Sequence, residues 1–161
     1  MEERPPTVLV TRVEPAEWAR FRDVRLAVLS DSPRMFGSAV SKELQFAESE
    51  WRRRAERPAT FLATHDGTDV GLAAVHEFEG HWTVVSMWIS PTHRGTGVVD
   101  SLMGACEAAA LQGGADHVLL AVMEDNLAGR RAYRRLGFTE TGRVDVVADG
   151  RRELWMVKLL R

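Results

Sequence analysis

Val84-Val85-Ser86-Met87-Trp88-Ile89-Ser90-Pro91-Thr92-His93-Arg94-Gly95-Thr96-Gly97 is the stretch on which the reading of this chain turns. Its first half is apolar, β-branched and aromatic, the composition of a buried strand. Pro91 ends the strand, a glycine-containing loop follows, and Val98 begins a helical period. Such a strand–loop–helix junction is an anion site in the making. The first amides of the helix have no intrahelical partner, the helix dipole adds partial positive charge, and the glycines let the loop backbone approach a ligand closely. Two nucleotide loops fail on residue identity. No Gly-Lys-Ser/Thr run supplies a P-loop, and a Gly-x-Gly-x-x-Gly fingerprint would need glycine at position 100, which is Asp100.

Reading outward towards the C-terminus, Gly97 to Gln112 is a helix closed by Gly113-Gly114, and His117–Val122 is a strand. Asn126–Leu136 is a helix stopped by Gly137, and Phe138 to Leu160 makes two strands around an Asp149-Gly150 turn. Towards the N-terminus, Phe61–Thr64, Val70–Phe78 and His81–Ile89 read as antiparallel strands joined by Asp66-Gly67 and Glu79-Gly80. Before them, Thr7–Val13 is a strand. Pro15 opens a helix carrying Trp18, Phe21, Val24 and Val28 at helical spacing, which ends by Asp31-Ser32-Pro33. A second helix, Ser41 to Arg57, has a stripe of Leu44, Ala47, Trp51 and Ala55 and is closed by Pro58. The order β-α-α-β-β-β-α-β-α-β-β predicts a mixed α+β fold, with a mostly antiparallel sheet of about seven strands flanked by about four helices.

The 161 residues are the length of one domain, with Met1–Pro6 as a loose lead-in. The 21 basic and 23 acidic side chains leave a net charge of −2, which argues against nucleic-acid binding by general charge. No apolar run approaches the ~18 residues of a membrane span, and the acids and prolines of residues 1–15 do not form a signal peptide. One cysteine, Cys106, permits neither a disulfide framework nor a cysteine metal cluster within the chain. The expectation is a cytoplasmic protein with no membrane or nucleic-acid partner.

Arg94-Gly95-Thr96-Gly97-Val98-Val99, following Trp88-Ile89-Ser90-Pro91, resembles motif A of the GCN5-related N-acetyltransferases (GNATs), whose pattern is Gln/Arg-x-x-Gly-x-Gly/Ala. Asn126-Leu127-Ala128-Gly129-Arg130-Arg131-Ala132-Tyr133-Arg134-Arg135-Leu136-Gly137-Phe138 is similar to the family's Asn-x-x-Ala-x-x-x-Tyr-x-x-x-Gly-Phe. Val99 stands where the family prefers glycine or alanine, and Gly129 where alanine is usual. The resemblance implies an enzyme that moves the acetyl group of acetyl-CoA directly onto a primary amine, on a small molecule or on a protein N-terminus or lysine. It does so in a ternary complex without a metal. Carried over residue by residue, the cofactor falls to Met87, Trp88, Ile89, Arg94, Gly95, Thr96, Gly97, Val98, Val99, Asn126 and Tyr133. The acetyl carbonyl would be met by the backbone N–H of Trp88 or a neighbour, at a bulge where the fourth strand splays from the fifth. Tyr133, the only tyrosine, would protonate the leaving thiolate; a phenol with a pKa of ~10 stays protonated at neutral pH.

A base for the acceptor is less legible. Glu124 and His76 are the first candidates, with Glu77 and Glu43 beside them; strand alternation puts His76 and Glu77 on opposite faces. His76, Glu77, Glu79 and His81 cluster across one hairpin, but the same alternation scatters them, so no metal site is expected. Arg52-Arg53-Arg54 reads as a solvated helix face. Arg130-Arg131 with Arg134-Arg135 could reach the CoA 3′-phosphate, and Met35-Phe36-Gly37-Ser38 falls where the family builds its acceptor wall. The competing readings are a non-catalytic acyl-CoA sensor and a transferase of longer acyl groups. The C-terminal strands Val144–Val147 and Arg152–Leu160 offer an edge that could pair in a homodimer.

Overall fold

The computed structural model describes residues 8–34, 39–56 and 59–160. The lead-in at residues 1–6, the acceptor-wall stretch at residues 35–38 and the helix end at residues 57–58 lie outside the described residues. Strand β1 (Leu9–Arg12) leads into a 3₁₀ turn at Pro15–Glu17 and helix α1 (Trp18–Asp31). Helices α2 (Val40–Glu43) and α3 (Glu48–Ala55) come next, then strands β2 (Ala59–His65), β3 (Thr68–Phe78) and β4 (His81–Ile89). Helix α4 (Val98–Gln112), strand β5 (His117–Met123) and helix α5 (Leu127–Arg135) precede the closing pair β6 (Thr139–Val146) and β7 (Arg152–Leu159).

The seven strands form one sheet in the order β1-β2-β3-β4-β5-β7-β6, antiparallel except where β4 meets β5. Both tight hairpins use the backbone twist that matches paired strands. Asp66-Gly67 and Glu79-Gly80 all have positive φ (49°, 77°, 51° and 80°), the geometry of type I′ turns. β7 is interior, with β5 on one side and β6 on the other, so only β6 presents a free C-terminal edge.

Two cores lie on the two faces. On one, Leu102, Met103, Cys106 and Ala110 of α4 pack against Ala63, Ala73, Val75, Val84, Val118 and Leu120. On the other, Phe21, Val24 and Val28 of α1 and Trp51 and Ala55 of α3 pack against Leu62 and Leu72. Gly71 sets how closely α4 approaches β3, since a Cβ there would lie 2.9 Å from Leu102 Cδ1 and 3.2 Å from Val98 Cγ1. No helix among the described residues is long and apolar enough to cross a membrane.

The expected helix from Ser41 to Arg57 is instead two helices, which raises the α-helix count to five among the described residues. Nothing between Ser41 and Arg57 breaks a helix by its own propensity. The chain turns because Ala47 is extended (φ −72°, ψ 162°), Phe46 lies on the Trp51 ring at 5.6 Å, and Glu43 is drawn inward by two arginines. Tertiary packing overrides local preference here.

Candidate active site

β4 and β5 pair over only two positions, Thr83 with Leu119 and Val84 with Leu120. Beyond them β4 runs on to Ile89 paired with β3, and β5 runs on to Met123 paired with β7. The two parallel strands therefore splay, leaving a slot between two strand edges in mid-sheet. A bulge lies on the β4 side of it. Leu72 pairs with Trp88 but Ala74 with Val85, so Ser86 and Met87 together oppose one residue of β3. Ser86 has φ +60°, a left-handed backbone that costs a non-glycine residue about 1–3 kcal/mol. A buried network meets it. Arg25 Nη1 donates to Ser86 Oγ (3.1 Å), while Arg25 Nε and Nη2 hold both oxygens of Glu43 (3.0 and 3.1 Å). Arg54 Nη1 donates to Glu43 as well (3.1 Å), and Glu43 is wholly buried. After the bulge, Met87 and Ile89 face the α4 core and Trp88 faces the α1 core.

The slot opens onto the β4–α4 loop. A 3₁₀ turn at Pro91–His93 leads to Gly95 and Gly97, with φ of +76° and +91°, and Gly97 caps α4. The first amide to enter the helix ladder is that of Ser101, which donates to the carbonyl of Gly97 (3.3 Å). The N–H groups of residues 94–100 donate to no acceptor among the described residues. A Cβ on Gly95 or Gly97 would meet nothing within 4 Å, so the loop is open on the side its amides border. Open amides at the start of a helix suit an anion, and a diphosphate would fit this donor set. The Arg94 guanidinium braces the loop, donating to the carbonyl of Ile89 (3.0 Å) and to Asp31 (3.3 Å). Trp88 Nε1 also donates to Asp31 (3.1 Å), so one carboxylate at the end of α1 ties together bulge, loop and helix. Ser32 chiefly, with Trp88 and Arg94, holds the Asp31 carboxyl below its ordinary pKa. Asp100, in the first turn of α4, is turned towards Arg135 of α5 (3.1 Å).

α5 flanks the slot. Asn126 caps it, its Oδ1 accepting from the Gly129 amide at 3.0 Å. A Cβ on Gly129 would lie 2.5 Å from Asn126 Nδ2, so a larger residue there would require the capping amide to shift. Tyr133 packs edge-on against Phe138 at 6.1 Å, and its hydroxyl makes no hydrogen bond among the described residues. Burial, with the neighbouring Cys106, raises the phenol pKa well above its ordinary value. The buried Cys106 thiol is pushed up to about 12 by desolvation and by Glu107, so it is an inert packing group. Of the four arginines on α5, Arg130 and Arg134 meet on Glu140 (3.1 and 2.6 Å) and Arg135 on Asp100, while Arg131 has no partner among the described residues.

A family model for the GNAT acetyltransferases matches residues 21–138, which span the slot, the loop and α5. The chain belongs to the GNAT acetyltransferase family. Among solved structures, a nourseothricin acetyltransferase is 34% identical with a TM-score of 0.59, over 64% of this chain and 65% of that one. This chain thus aligns with just under two thirds of that relative. yncA from Salmonella typhimurium, solved with its cofactor acetyl-CoA, is 17% identical with a TM-score of 0.76, covering 96% of this chain and 95% of its own. The ribosomal-protein-S18-alanine N-acetyltransferase of Escherichia coli is also 17% identical, with a TM-score of 0.69 over 96% of this chain and 94% of its own. A comparison with curated proteins finds no match.

In this GNAT domain the expected bases are mostly engaged elsewhere. Glu124 follows β5 and pairs with Arg152 at 3.3 Å, while its carbonyl accepts from Arg130. Glu43 is committed to Arg25 and Arg54. His76 lies against the Phe78 ring at 6.4 Å on the face of Leu72, and Glu77 is exposed on the opposite face. The hairpin acids and histidines disperse, since Glu79 pairs with Arg143 (2.9 Å) and His81 meets His117 (2.9 Å). No three histidine, cysteine or acidic side chains converge on a metal position among the described residues.

Sequence reading passed over a cavity beside the C-terminal hairpin. A cavity of about 650 Å³ lies between the end of α1 and the β6–β7 turn, lined by Leu29, Arg34, Val40, Asp149 and Arg151 among others. Arg151 Nη1 reaches across it to the carbonyl of Arg34 (2.8 Å). Glu153 follows two residues along the strand, half-buried. The alternation of Arg151, Glu153 and Trp155 was the available signal, hidden because β7 reads as an outer strand until its pairing with β5 is known.

Proposed function

We propose that this chain transfers the acetyl group of acetyl-CoA to a primary amine by direct attack in a ternary complex. The observation that carries the reading is the continuity of the β4–β5 slot with the open amides of residues 94–100. Acetyl-CoA, when bound, supplies the activated acyl group. Its diphosphate fits the amides from Arg94 to Val99, and its pantetheine arm fits the slot along Met87, Trp88 and Ile89. A backbone N–H at the strained bulge faces the carbonyl oxygen, where a fixed donor is worth most as charge develops. Tyr133 keeps its proton and has a hydroxyl with no other partner; as a weak acid it suits a relay that hands its proton to the thiolate while taking one from the amine. Arg131, unengaged on α5, is the arginine for the 3′-phosphate. The bracing of Arg94 and the capping by Asn126 give those two residues a shaping part, with direct contact left to the backbone.

The 34% identity to a nourseothricin acetyltransferase favours a small-molecule amine over a protein acceptor. A single buried thiol without a disulfide suits a reducing cytoplasm. The test is thermal unfolding with acetyl-CoA, CoA, NAD and ATP, followed by thiol release with nourseothricin, a peptide beginning with alanine, and a panel of simple primary amines. A ligand at ~100 times its Kd adds ~2.7 kcal/mol of stability, so acetyl-CoA and CoA should raise the midpoint while NAD and ATP should not. No shift at millimolar acetyl-CoA overturns the reading. A shift without amine-dependent thiol release would make the domain a binder instead of a transferase.

A further inference from the structure

We propose that Glu153 receives the ammonium group of the acceptor and takes its proton. The proposal rests on the acetyl-transfer reading and adds the group that deprotonates the nucleophile. Glu153 pairs across β7–β5 with Met123, level with the splayed end of the slot, and across β7–β6 with Asp145. Strand alternation puts it on the same face as Arg151, which lines the cavity, and Trp155. Along the strand it therefore follows Arg151 of the cavity wall and lies opposite Met123, where β5 leaves the slot.

The charges around it explain why it is the carboxylate left for a ligand. Asp145, its neighbour on β6, is held by both Nη2 and Nε of Arg143 (3.0 and 3.1 Å) and accepts from Trp155 Nε1 (2.9 Å). Asp149 is held by Arg151 (2.9 Å) and Asp125 by Arg34 (3.5 Å). Met123, its cross-strand partner on β5, brings no charge. Glu153 alone of these acids has neither hydrogen bond nor ion pair among the described residues. Desolvation first, then the Asp145 charge, raises its pKa above the ordinary carboxyl value, against the pull of Arg151. A half-buried carboxylate with no hydrogen bond or ion pair is costly, and an incoming ammonium relieves that cost.

The step balances as follows. The ammonium gives one proton to Glu153, and the freed amine attacks the thioester carbonyl. The tetrahedral adduct then breaks its carbon–sulfur bond as Tyr133 protonates the sulfur. The second amine proton leaves as the amide forms and restores Tyr133, and Glu153 passes its proton to solvent. The net products are the acetamide, CoA thiol and one proton. Because Glu153 acts as the carboxylate, activity falls as pH drops through its raised pKa.

The experiment compares wild type, Glu153→Gln and Glu153→Asp by thiol release from pH 5.5 to 9 on nourseothricin and the primary-amine panel. CoA-induced thermal shifts are measured in parallel. Glu153→Gln should lose about 10²–10⁴-fold in kcat/KM at pH 7, keep the CoA shift and lose the wild-type acid limb. Its deficit should shrink as pH approaches the amine's own pKa of ~10 and free amine accumulates. Glu153→Asp should keep an acid limb, displaced, and would show it even if the glutamine variant folded poorly. Wild-type kcat/KM and an unchanged acid limb in Glu153→Gln overturn this proposal and leave acetyl transfer standing. A wild type that shifts with CoA but releases thiol to no amine overturns both.

Discussion

Tyr133 shows how one side chain is read twice. Its place seven residues after Asn126 and four before Gly137 marks it in the sequence, and the structure adds a hydroxyl without a partner in apolar surroundings. Its raised pKa means that the proton is present at every pH the protein meets, so loss of activity at alkaline pH will not come from this phenol. Tyr133→Phe keeps the ring contact with Phe138 and removes only the oxygen. Turnover should fall by about 10²-fold or more while the thermal midpoint stays close to wild type. Unchanged turnover, read as thiol release, would remove Tyr133 from the chemistry. Glu153 was invisible by comparison, because no motif carries it and its role depends on which neighbours already hold cations.

At the scale of elements, the decisive feature is the break between α2 and α3. It lets Glu43 turn inward to bind Arg25 of α1 and Arg54 of α3, and Arg25 in turn holds the Ser86 bulge of β4. Four elements thus share one buried carboxylate. Glu43 entered as a candidate base, and a base needs a free lone pair; here the geometry makes it a brace. Removing it leaves two guanidinium groups without their shared anion. Glu43→Ala should cost about 3–5 kcal/mol in denaturant unfolding, the range for breaking one side of a buried ion pair. A loss under 1 kcal/mol would mean that the network carries no stability. The strand periods, the hairpin turns and α4 were all legible from hydrophobic spacing and glycine placement. The helix break was not, since no residue in it disfavours helix and the turn is selected by tertiary contacts, Phe46 on Trp51 and Glu43 on its two arginines.

At the scale of the whole molecule, charge is organised as exposed pairs around a near-neutral net balance. Several carboxyls sit below their ordinary pKa because an arginine donates to them: Arg53 to Glu50, Arg134 to Glu140, Arg143 to Asp145 and Arg151 to Asp149. A carboxyl whose pKa is lower folded than unfolded contributes stability above the unfolded value, ~3.9–4.3, and loses it as pH falls through the folded value. The thermal midpoint should therefore hold from pH 7 to about 5 and decline below about 4, modestly for each pair because solvent screens them. Raising the salt concentration at pH 7 should cost little. A midpoint rising on acidification would show that these pairs are not formed in solution.

What the sequence by itself determined is everything that repeats or is local. The two periods gave the order of strands and helices, glycine at positive φ placed the turns and the loop, and the spacing of two motifs named the family. These properties depend on neighbours along the chain. Tertiary structure alone decided where the parallel strands stop pairing, which helix breaks, and which acid beside the slot is left without an ion pair. Those outcomes are set by residues far apart in sequence: Arg25 with Ser86, Glu43 with Arg54, Asp145 with Trp155. Whether a carboxylate braces the fold or is left for a ligand depends on the other charges within reach of it, and that exists only once the chain has folded.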